Sequence, residues 1–409
     1  MVLVAFGVRL GVMAAFHTYH VPPTWDRFAF GGEMGRIARS IVLGEGFSSP
    51  LHGRTGPTAM VGPVYPYVVA GAFKIFGIYT EAASVALLTF NSLLSALTCI
   101  VIFFLGRNTF GSAVGSWAGW TWTLFPYAVY WPIRWVWDTS LSTLLLTILV
   151  WLSFHLADST RRARWVAFGV LAGIAALVNT TLLSLMPVLA AWACWQHRLR
   201  GTHWPRLAVA AALALSLTVA PWIVRNYLAF GHILLRSNLG LELSQGNYEG
   251  AAGLRAWHSH PAFDDKEMDK YRRMGELAYM AEKQHEALRF IATHPSTFAV
   301  LCLRRIVYFW TGTAEIVIPR WLLATLAFYV LVSALGVAGL VRALRRRTPA
   351  APLFALVLLV FPIPYYLTHP EPRFRHLIEP ELVVLGVYAV SGMMARLGRL
   401  GRTSTQALP

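Results

Sequence analysis

Charged residues are scarce in this chain. Only 13% of its 409 residues are Asp, Glu, Lys or Arg, about half of the roughly 25% that is usual in soluble globular proteins. The three cysteines, Cys99, Cys194 and Cys302, lie far apart at no metal-ligand spacing, so we interpret them as packing residues. The low charge excludes an ordinary soluble domain.

The motifs of several enzyme classes are also missing. The sequence has no glycine-rich phosphate loop, no G-x-S-x-G nucleophile elbow and no dinucleotide fingerprint. A nucleotide-sugar donor is therefore not expected. Acidic residues are fewer than basic ones, 19 against 35, but the basic residues lie in short loops between apolar runs. That distribution indicates membrane topology rather than binding of nucleic acid.

Long apolar runs dominate instead, and 56% of the residues are hydrophobic. Runs of about 20 residues favour transmembrane helices, because backbone amides in lipid must bond within their own segment. We predict an all-α, polytopic membrane protein with a single domain over 1–409 and about ten spans. The predicted spans are 1–20, 82–105, 113–131, 139–157, 165–179, 181–197, 206–226, 321–342, 351–368 and 377–395.

The basic turns fix the predicted orientation. The segments "GRNTFGS", "DSTRRARW", "QHRLRGTHWPR" and "RALRRRTP" and the tail "ARLGRLGRTS" are all basic and fall on one side of the membrane, which is therefore the cytoplasmic side. The loops 21–81 and 227–320 then lie outside, and we expect a bacterial cytoplasmic membrane. Because Arg9 interrupts the run over 1–20 and no small-residue cleavage site follows it, we interpret this run as a retained helix rather than a signal peptide.

The two outer loops contain helical patterns of their own. The first includes an apolar segment interrupted by prolines, which predicts a helix in the membrane interface; the prolines are Pro57, Pro63 and Pro66. The second predicts an amphipathic helix whose apolar positions are Met268, Tyr271, Leu277, Met280, Leu288 and Ile291. Segment 298–315 contains Arg304 and Arg305, so we predict a partly embedded helix there.

Four segments resemble a known family when they are taken in order. They are "EMGRIARSIVLGEGFSSP", "GPVYPYVVAGAFKIFG", "APWIVRNYLAFGHILLRSNLGLELSQGN" and "PRFRHLIEPELVVLGVYAV". Together they resemble the GT-C class of membrane glycosyltransferases, in the branch of the protein O-mannosyltransferases and lipid A aminoarabinose transferases. The resemblance implies a polyprenyl-phosphate sugar donor, an active site on the outer membrane face and an acidic residue of the first outer loop as catalytic base.

Three acidic residues of the first outer loop are candidates for that base, namely Asp26, Glu33 and Glu45. Glu33 follows two glycines and begins a helical pattern that ends at Gly44, which predicts a position near free backbone donors. It is the first choice, although a purely structural pairing with Arg36 is the alternative. Asp26 stays open as well. The family's acid is followed by an aromatic residue and then Ala, whereas the segment "EMGRIA" that begins at Glu33 contains no aromatic residue.

A second acidic residue, Asp138, precedes the predicted span 139–157. An ionised group at that depth is costly unless it is paired or used. In the resembled family a second acid of the outer loops helps to shape the site, so the resemblance implies that Asp138 is an auxiliary acid. Two structural alternatives are a pair with Arg134, four residues earlier, and an N-cap for the span.

Arginine is the natural partner of a phosphate, because its planar guanidinium stays charged and can bind two oxygens. Arg225, Arg373 and Arg375 lie at outer helix ends, against the usual charge bias, and are the predicted phosphate ligands. The alternatives are contact with lipid headgroups or salt bridges to Glu371, Glu379 or Glu381.

We expect no cofactor and no divalent metal. His258, His260, Asp264 and Asp265 occur together, but their spacing matches no strong metal signature. The outer aromatics Trp131, Trp135 and Trp137 either stack on a substrate or form an interfacial belt.

The predicted function is inverting transfer of a sugar from a polyprenyl phosphate to a hydroxyl of a protein, glycolipid or polysaccharide acceptor. A flippase or transporter of lipid-linked sugars is one alternative, although most charges lie at span ends rather than near span centres. A non-catalytic partner in polysaccharide assembly is the other.

Overall fold

The structure is a computed structural model that describes residues 1–22, 28–202, 204–313 and 322–405. In these ranges the chain is helical, without strands, and one isolated bridge joins Ser48 to Pro57. The first ten helices are α1 Val2–Ala15, α2 Glu33–Val42, α3 Val64–Phe76, α4 Glu81–Phe110, α5 Ser112–Leu124, α6 Pro126–Arg134, α7 Thr139–Ala157, α8 Arg162–Val178, α9 Met186–Leu199 and α10 Pro205–Phe230.

The later helices are α11 Leu239–Gly246, α12 Asp265–Met274, α13 Glu276–Thr293, α14 Pro295–Thr311, α15 Leu322–Arg345, α16 Ala351–Val360, α17 Ile363–Leu367, α18 Pro372–His376 and α19 Glu379–Thr405. Single turns of 3₁₀ helix occur at Phe28–Phe30, Thr180–Ser184 and Trp257–Ser259.

A helix or a pair of helices lies at each of the ten predicted spans. Four described helices, α4, α7, α10 and α15, are long and apolar enough to cross a membrane. Some predicted spans are divided, because proline disfavours helical backbone at the preceding residue. Phe125 is extended before Pro126, so that 113–131 becomes α5 and α6. The apolar helices are those of an integral membrane protein.

Small residues allow a close contact between two helices of this bundle. α8 packs on α10, and a Cβ atom at Gly169 would lie 2.1 Å from the carbonyl oxygen of Ala211. Four residues on, a Cβ atom at Gly173 would lie 2.6 Å from Cβ of Thr218. Such pairs of small residues bring helix backbones together in membranes.

Arg9 interrupts the first apolar run because it holds three helices together. Its guanidinium is fully buried in α1 and donates to the Ser95 hydroxyl of α4 and to the Ala128 carbonyl of α6, at 3.0 and 2.9 Å. A buried guanidinium with several acceptors needs no role in binding.

Segment 227–320, the predicted second outer loop, differs from its predicted form. Gly275, with φ +77°, separates α12 from α13, and the break changes which side chains face inward. Met268, Tyr271 and Met280 are buried as predicted, whereas Leu288 is half exposed. Segment 298–315 is helical up to Thr311, and Arg305 inside it is buried against the carbonyls of Tyr366 and Leu367.

Buried polar contacts join the two outer loops. The Glu276 carboxylate accepts from the Ala59 N–H and the Ser237 hydroxyl at 2.7 Å, and from the Tyr271 hydroxyl at 2.9 Å. It also accepts from the Thr58 hydroxyl. Arg225 donates to two carbonyls of the first loop, those of Phe47 and Thr58, each at 2.6 Å. The first loop is therefore fixed by residues more than 160 positions away.

Replacing Glu276 with Ala should destabilise the outer loops. The Ala59 N–H and three hydroxyls would lose their acceptor in a buried place, which we expect to lower the free energy of unfolding by roughly 2–4 kcal/mol. Thermal unfolding of the purified protein measures this change. Glu282→Ala, in the same helix, is the matched control, because among the described residues the partly exposed Glu282 side chain pairs only with Lys270. Equal melting temperatures for the two variants would contradict the role given to Glu276.

Candidate functional site

A cavity of about 510 Å³ lies between the first outer loop, the beginning of the second outer loop and the segment before α19. This volume lies within the range of sites for small ligands. Its charged lining comprises Glu33, Asp138, Arg236, Glu242, Arg255, His260 and Arg373. Its apolar lining includes Phe28, Met60, Trp137, Val178, Leu235, Trp257, Tyr365 and Phe374.

Glu33 is the first residue of α2, as predicted, and lines the cavity. Two glycines with positive φ place it there: Gly31 at +92° and Gly32 at +52°. A Cβ atom at Gly31 would lie 2.6 Å from the Val136 carbonyl oxygen, so only glycine permits this close approach. The turn therefore brings Glu33 to the same cavity as Trp137 and Asp138.

Asp138 occupies the N-cap position of α7, but its carboxylate does not cap the backbone. Instead it accepts from the Ser142 hydroxyl at 3.1 Å and from the Asn179 amide at 3.3 Å. Burial raises the pKa of Asp138, while Arg373 and the hydrogen bond from Ser142 oppose that rise. No ion pair joins Asp138 to Arg134 among the described residues.

The three arginines that were predicted to bind phosphate do not lie together in the structure. Arg373 lines the cavity, whereas Arg225 and Arg375 do not. Arg225 instead holds the first outer loop, and Arg375 is 1% exposed, with its guanidinium donating to the carbonyls of Trp310 and Tyr329. Asp26 lies outside the described residues.

Two further arginines of the cavity, Arg236 and Arg255, escaped the sequence reasoning. The criterion that singled out Arg373, a basic residue at a predicted outer helix end, selects neither of them, because both lie in the loop segments on either side of α11. Arg236 donates to the Met60 carbonyl at 2.7 Å. Arg255 forms a salt bridge of 2.9 Å with Glu371, which also pairs with Arg373 at 2.6 Å.

Another acid–base pair lies in the same part of the molecule. The Glu242 carboxylate is 2.9 Å from Nε2 of His369 and accepts from the Asn238 amide at 2.7 Å. Burial would raise the pKa of Glu242, but the hydrogen bond with His369 and the charge of Arg255 bring it well below its usual range. Glu242 is therefore an ionised side chain of the cavity wall.

His260 lies beside Glu33 and is almost fully buried. The Ala262 N–H donates to Nδ1 of His260 at 3.1 Å, which assigns the proton of the neutral ring to Nε2. Nε2 is 3.5 Å from Oε1 of Glu33. Burial lowers the pKa of His260 to about 4, against the opposing charge of Glu33, so the ring is neutral at pH 7.

Metal ligation has no support in the described part of the chain, where no three His, Cys, Asp or Glu side chains form a group suited to an ion. His260 pairs with Glu33, and Asp264 accepts from the Glu267 N–H at the start of α12. His258 packs against Tyr248. The absence of a metal from the reaction stays a prediction.

The three outer tryptophans have different places. Trp131 is buried in the core near His376. Trp135 packs on Trp131 and Phe28 without lining the cavity, whereas Trp137 lines it. Only one of the three is therefore in a position to contact a ligand of this cavity.

The side chains that line the cavity determine which chemistry it can support. A carboxylate next to a neutral imidazole can accept a proton, and arginines on the same wall can bind an anion. The apolar side chains suit an alkyl chain or the face of a sugar. The cavity thus combines a candidate base, candidate anion ligands and apolar surface.

The His260 environment predicts an acid sensitivity. The unfolded chain takes up a proton on this ring as the pH falls through 6.5, whereas the folded protein resists until about pH 4. Stability is therefore complete above pH 6.5 and falls between 6.5 and 4, by up to about 3 kcal/mol. His260→Gln should flatten this part of the stability profile in thermal unfolding, while the control His285→Gln should not. Parallel profiles for wild type and His260→Gln would refute this prediction.

Comparisons with known proteins agree with this fold. Residues 60–222, less than half of the chain, match the family model described as dolichyl-phosphate-mannose-protein mannosyltransferase. No curated protein gave a significant match to the sequence.

Solved structures give a broader likeness. The Archaeoglobus fulgidus oligosaccharyltransferase AglB, in complex with an inhibitory peptide and a dolichol-phosphate, matches over 92% of this chain with a TM-score of 0.57 and 16% identity. Its apo form has a TM-score of 0.56, also with 16% identity and 92% coverage. This chain spans 47% of the length of the AglB chain in each of these two structures. ArnT from Cupriavidus metallidurans, bound to undecaprenyl phosphate, has a TM-score of 0.36 at 14% identity, over 98% of this chain and 80% of its own. The fold is that of the GT-C membrane glycosyltransferases, and the predicted resemblance is confirmed at this level.

Proposed function

We propose that the protein is an inverting glycosyltransferase that moves a sugar from a polyprenyl phosphate to a hydroxyl acceptor at the outer face of the membrane. One observation carries the proposal. Glu33, Asp138 and Arg373, chosen from three distant parts of the sequence, line the same cavity. The likeness to AglB, whose structure contains a dolichol-phosphate, supports a lipid-linked donor.

Glu33 is the proposed base. As the acceptor oxygen attacks the anomeric carbon, its proton passes to the Glu33 carboxylate, and the bond between that carbon and the phosphate oxygen breaks. The phosphate leaves with the electron pair of that bond. A single displacement of this kind inverts the anomeric centre and needs one base. His260, neutral at pH 7, leaves Glu33 available as the proton acceptor.

Cations and the second acid complete the proposed site. Arg373 and Arg255 offset the charge that grows on the leaving phosphate, a contribution that is large in a partly dry cavity. Asp138, bound to Ser142 and Asn179, shapes the wall beside them. Trp137 and Trp257 provide faces for the sugar or the prenyl chain.

A flippase or a non-catalytic assembly protein would require no base, and this difference allows a test. In cells that lack the protein, mass spectrometry should find an accumulated lipid-linked sugar, which identifies the donor. Complementation with Glu33→Gln should leave that sugar accumulated, because loss of a general base slows transfer by about 10²–10⁴-fold. Glu45→Gln, in the same loop but outside the cavity, should restore normal levels.

The same measurement distinguishes the alternatives. If Glu33→Gln restores normal levels while Asp26→Asn does not, the base is Asp26. If both variants behave as wild type, the enzyme proposal is wrong and a role in transport or assembly replaces it.

A further inference from the structure

Glu371 lies between two arginines of the cavity without lining the cavity itself. Its Oε1 is 2.9 Å from Nη1 of Arg255, and its Oε2 is 2.6 Å from Nε of Arg373. The Glu371 side chain is 5% exposed. Arg255 and Arg373 come from segments 118 positions apart, so the single carboxylate joins two distant parts of the chain at the cavity wall.

Aromatic rings hold the flat faces of the same two guanidinium groups. Cζ of Arg255 lies 4.3 Å from the ring centre of Trp257, and Cζ of Arg373 lies 4.4 Å from that of Trp137. Gln245 accepts from Nε of Arg255 at 2.9 Å. Each guanidinium is therefore fixed along one edge and on one face, which limits its side-chain freedom before any ligand binds.

Donor groups remain on both arginines. In the described part of the chain, Nη1 and Nη2 of Arg373 and Nη2 of Arg255 have no hydrogen-bond partner, and both residues line the cavity. Guanidinium N–H groups in such an arrangement match the oxygens of a phosphate. A bound phosphate would accept hydrogen bonds from these N–H groups, which have no acceptor in the described part of the protein.

The charge of the group also suits a phosphate. Although burial opposes it, the charges of Arg373, Arg255 and His369 lower the pKa of Glu371 to about 2, so the carboxylate is ionised at pH 7. Two arginines and one carboxylate leave one net positive charge. A sugar phosphodiester carries one negative charge, which this group would balance.

We infer that Glu371 is a positioning residue that holds Arg255 and Arg373 side by side as a clamp for the phosphate of the lipid donor. The inference rests on the proposed function, because it names the residue that arranges the donor's phosphate contacts. A carboxylate that merely neutralised charge would weaken phosphate binding by repulsion. A positioning carboxylate strengthens binding, because it fixes the geometry of both arginines.

The test is binding of farnesyl phosphate to the purified full-length protein in detergent, measured by titration calorimetry. Wild type should bind it saturably, and Glu371→Gln should bind it at least about ten-fold more weakly. Each oxygen of Glu371 accepts from a different arginine, and in Gln one of these acceptors becomes an NH2 donor that faces a guanidinium N–H. The double variant Arg255→Gln/Glu371→Gln should lose less binding free energy for farnesyl phosphate than the two single variants lose together, because the carboxylate acts through that arginine. Glu282→Gln is the control and should bind as wild type does.

Several outcomes would overturn the inference. If Glu371 acted only through its charge, Glu371→Gln would bind farnesyl phosphate more tightly than wild type does. Unchanged or tighter binding therefore refutes the positioning role. If Glu371→Gln does not fold, Glu371→Asp keeps the charge on a shorter side chain and should bind several-fold more weakly; wild-type affinity would refute the role. Failure of wild type itself to bind farnesyl phosphate would instead count against the proposed lipid-phosphate donor, and farnesol shows which part of the signal depends on phosphate.

Discussion

The buried Glu276 carboxylate is the contact on which the site depends. It joins the Ala59 N–H of the first outer loop to the Ser237 and Tyr271 hydroxyls of the second. Residues that immediately follow these positions, such as Met60 and Asn238, line the cavity. A buried carboxylate is stable only when enough hydrogen-bond donors surround it. The two loops therefore pack together in the arrangement that supplies these donors, and the same arrangement forms part of the cavity wall.

Pairing of charge is the second organising feature. Glu371 lies between two arginines and Glu242 lies beside His369, while the neutral ring of His260 lies beside Glu33. Removal of a charged group from water is costly unless a partner replaces the lost hydration. The arrangement keeps a candidate base and several candidate anion ligands within one partly apolar cavity, which is what sugar transfer from a lipid phosphate to a hydroxyl requires.

Local sequence patterns predicted those residues of the candidate site whose positions depend on their sequence neighbours. The glycines before Glu33 indicated the start of α2, and a basic residue at an outer helix end indicated Arg373. Arg225 has the same local signal but holds the first loop, because its partners are carbonyls at Phe47 and Thr58. Arg255 was missed because its partner Glu371 is 116 residues away, and no local spacing encodes such a contact. Helix positions followed from hydrophobic runs, whereas breaks at Phe125 and Gly275 arose from single-residue backbone preferences.

The central claim is that the lipid phosphate, the base and the arginines meet in one cavity. The most direct measurement is a cryo-electron microscopy structure of the protein in a lipid nanodisc with a bound polyprenyl phosphate. We expect the phosphate within hydrogen-bonding distance of Arg255 and Arg373, with the Glu33 carboxylate facing the same space. A phosphate bound outside this cavity, for example beside Arg225, would contradict the claim.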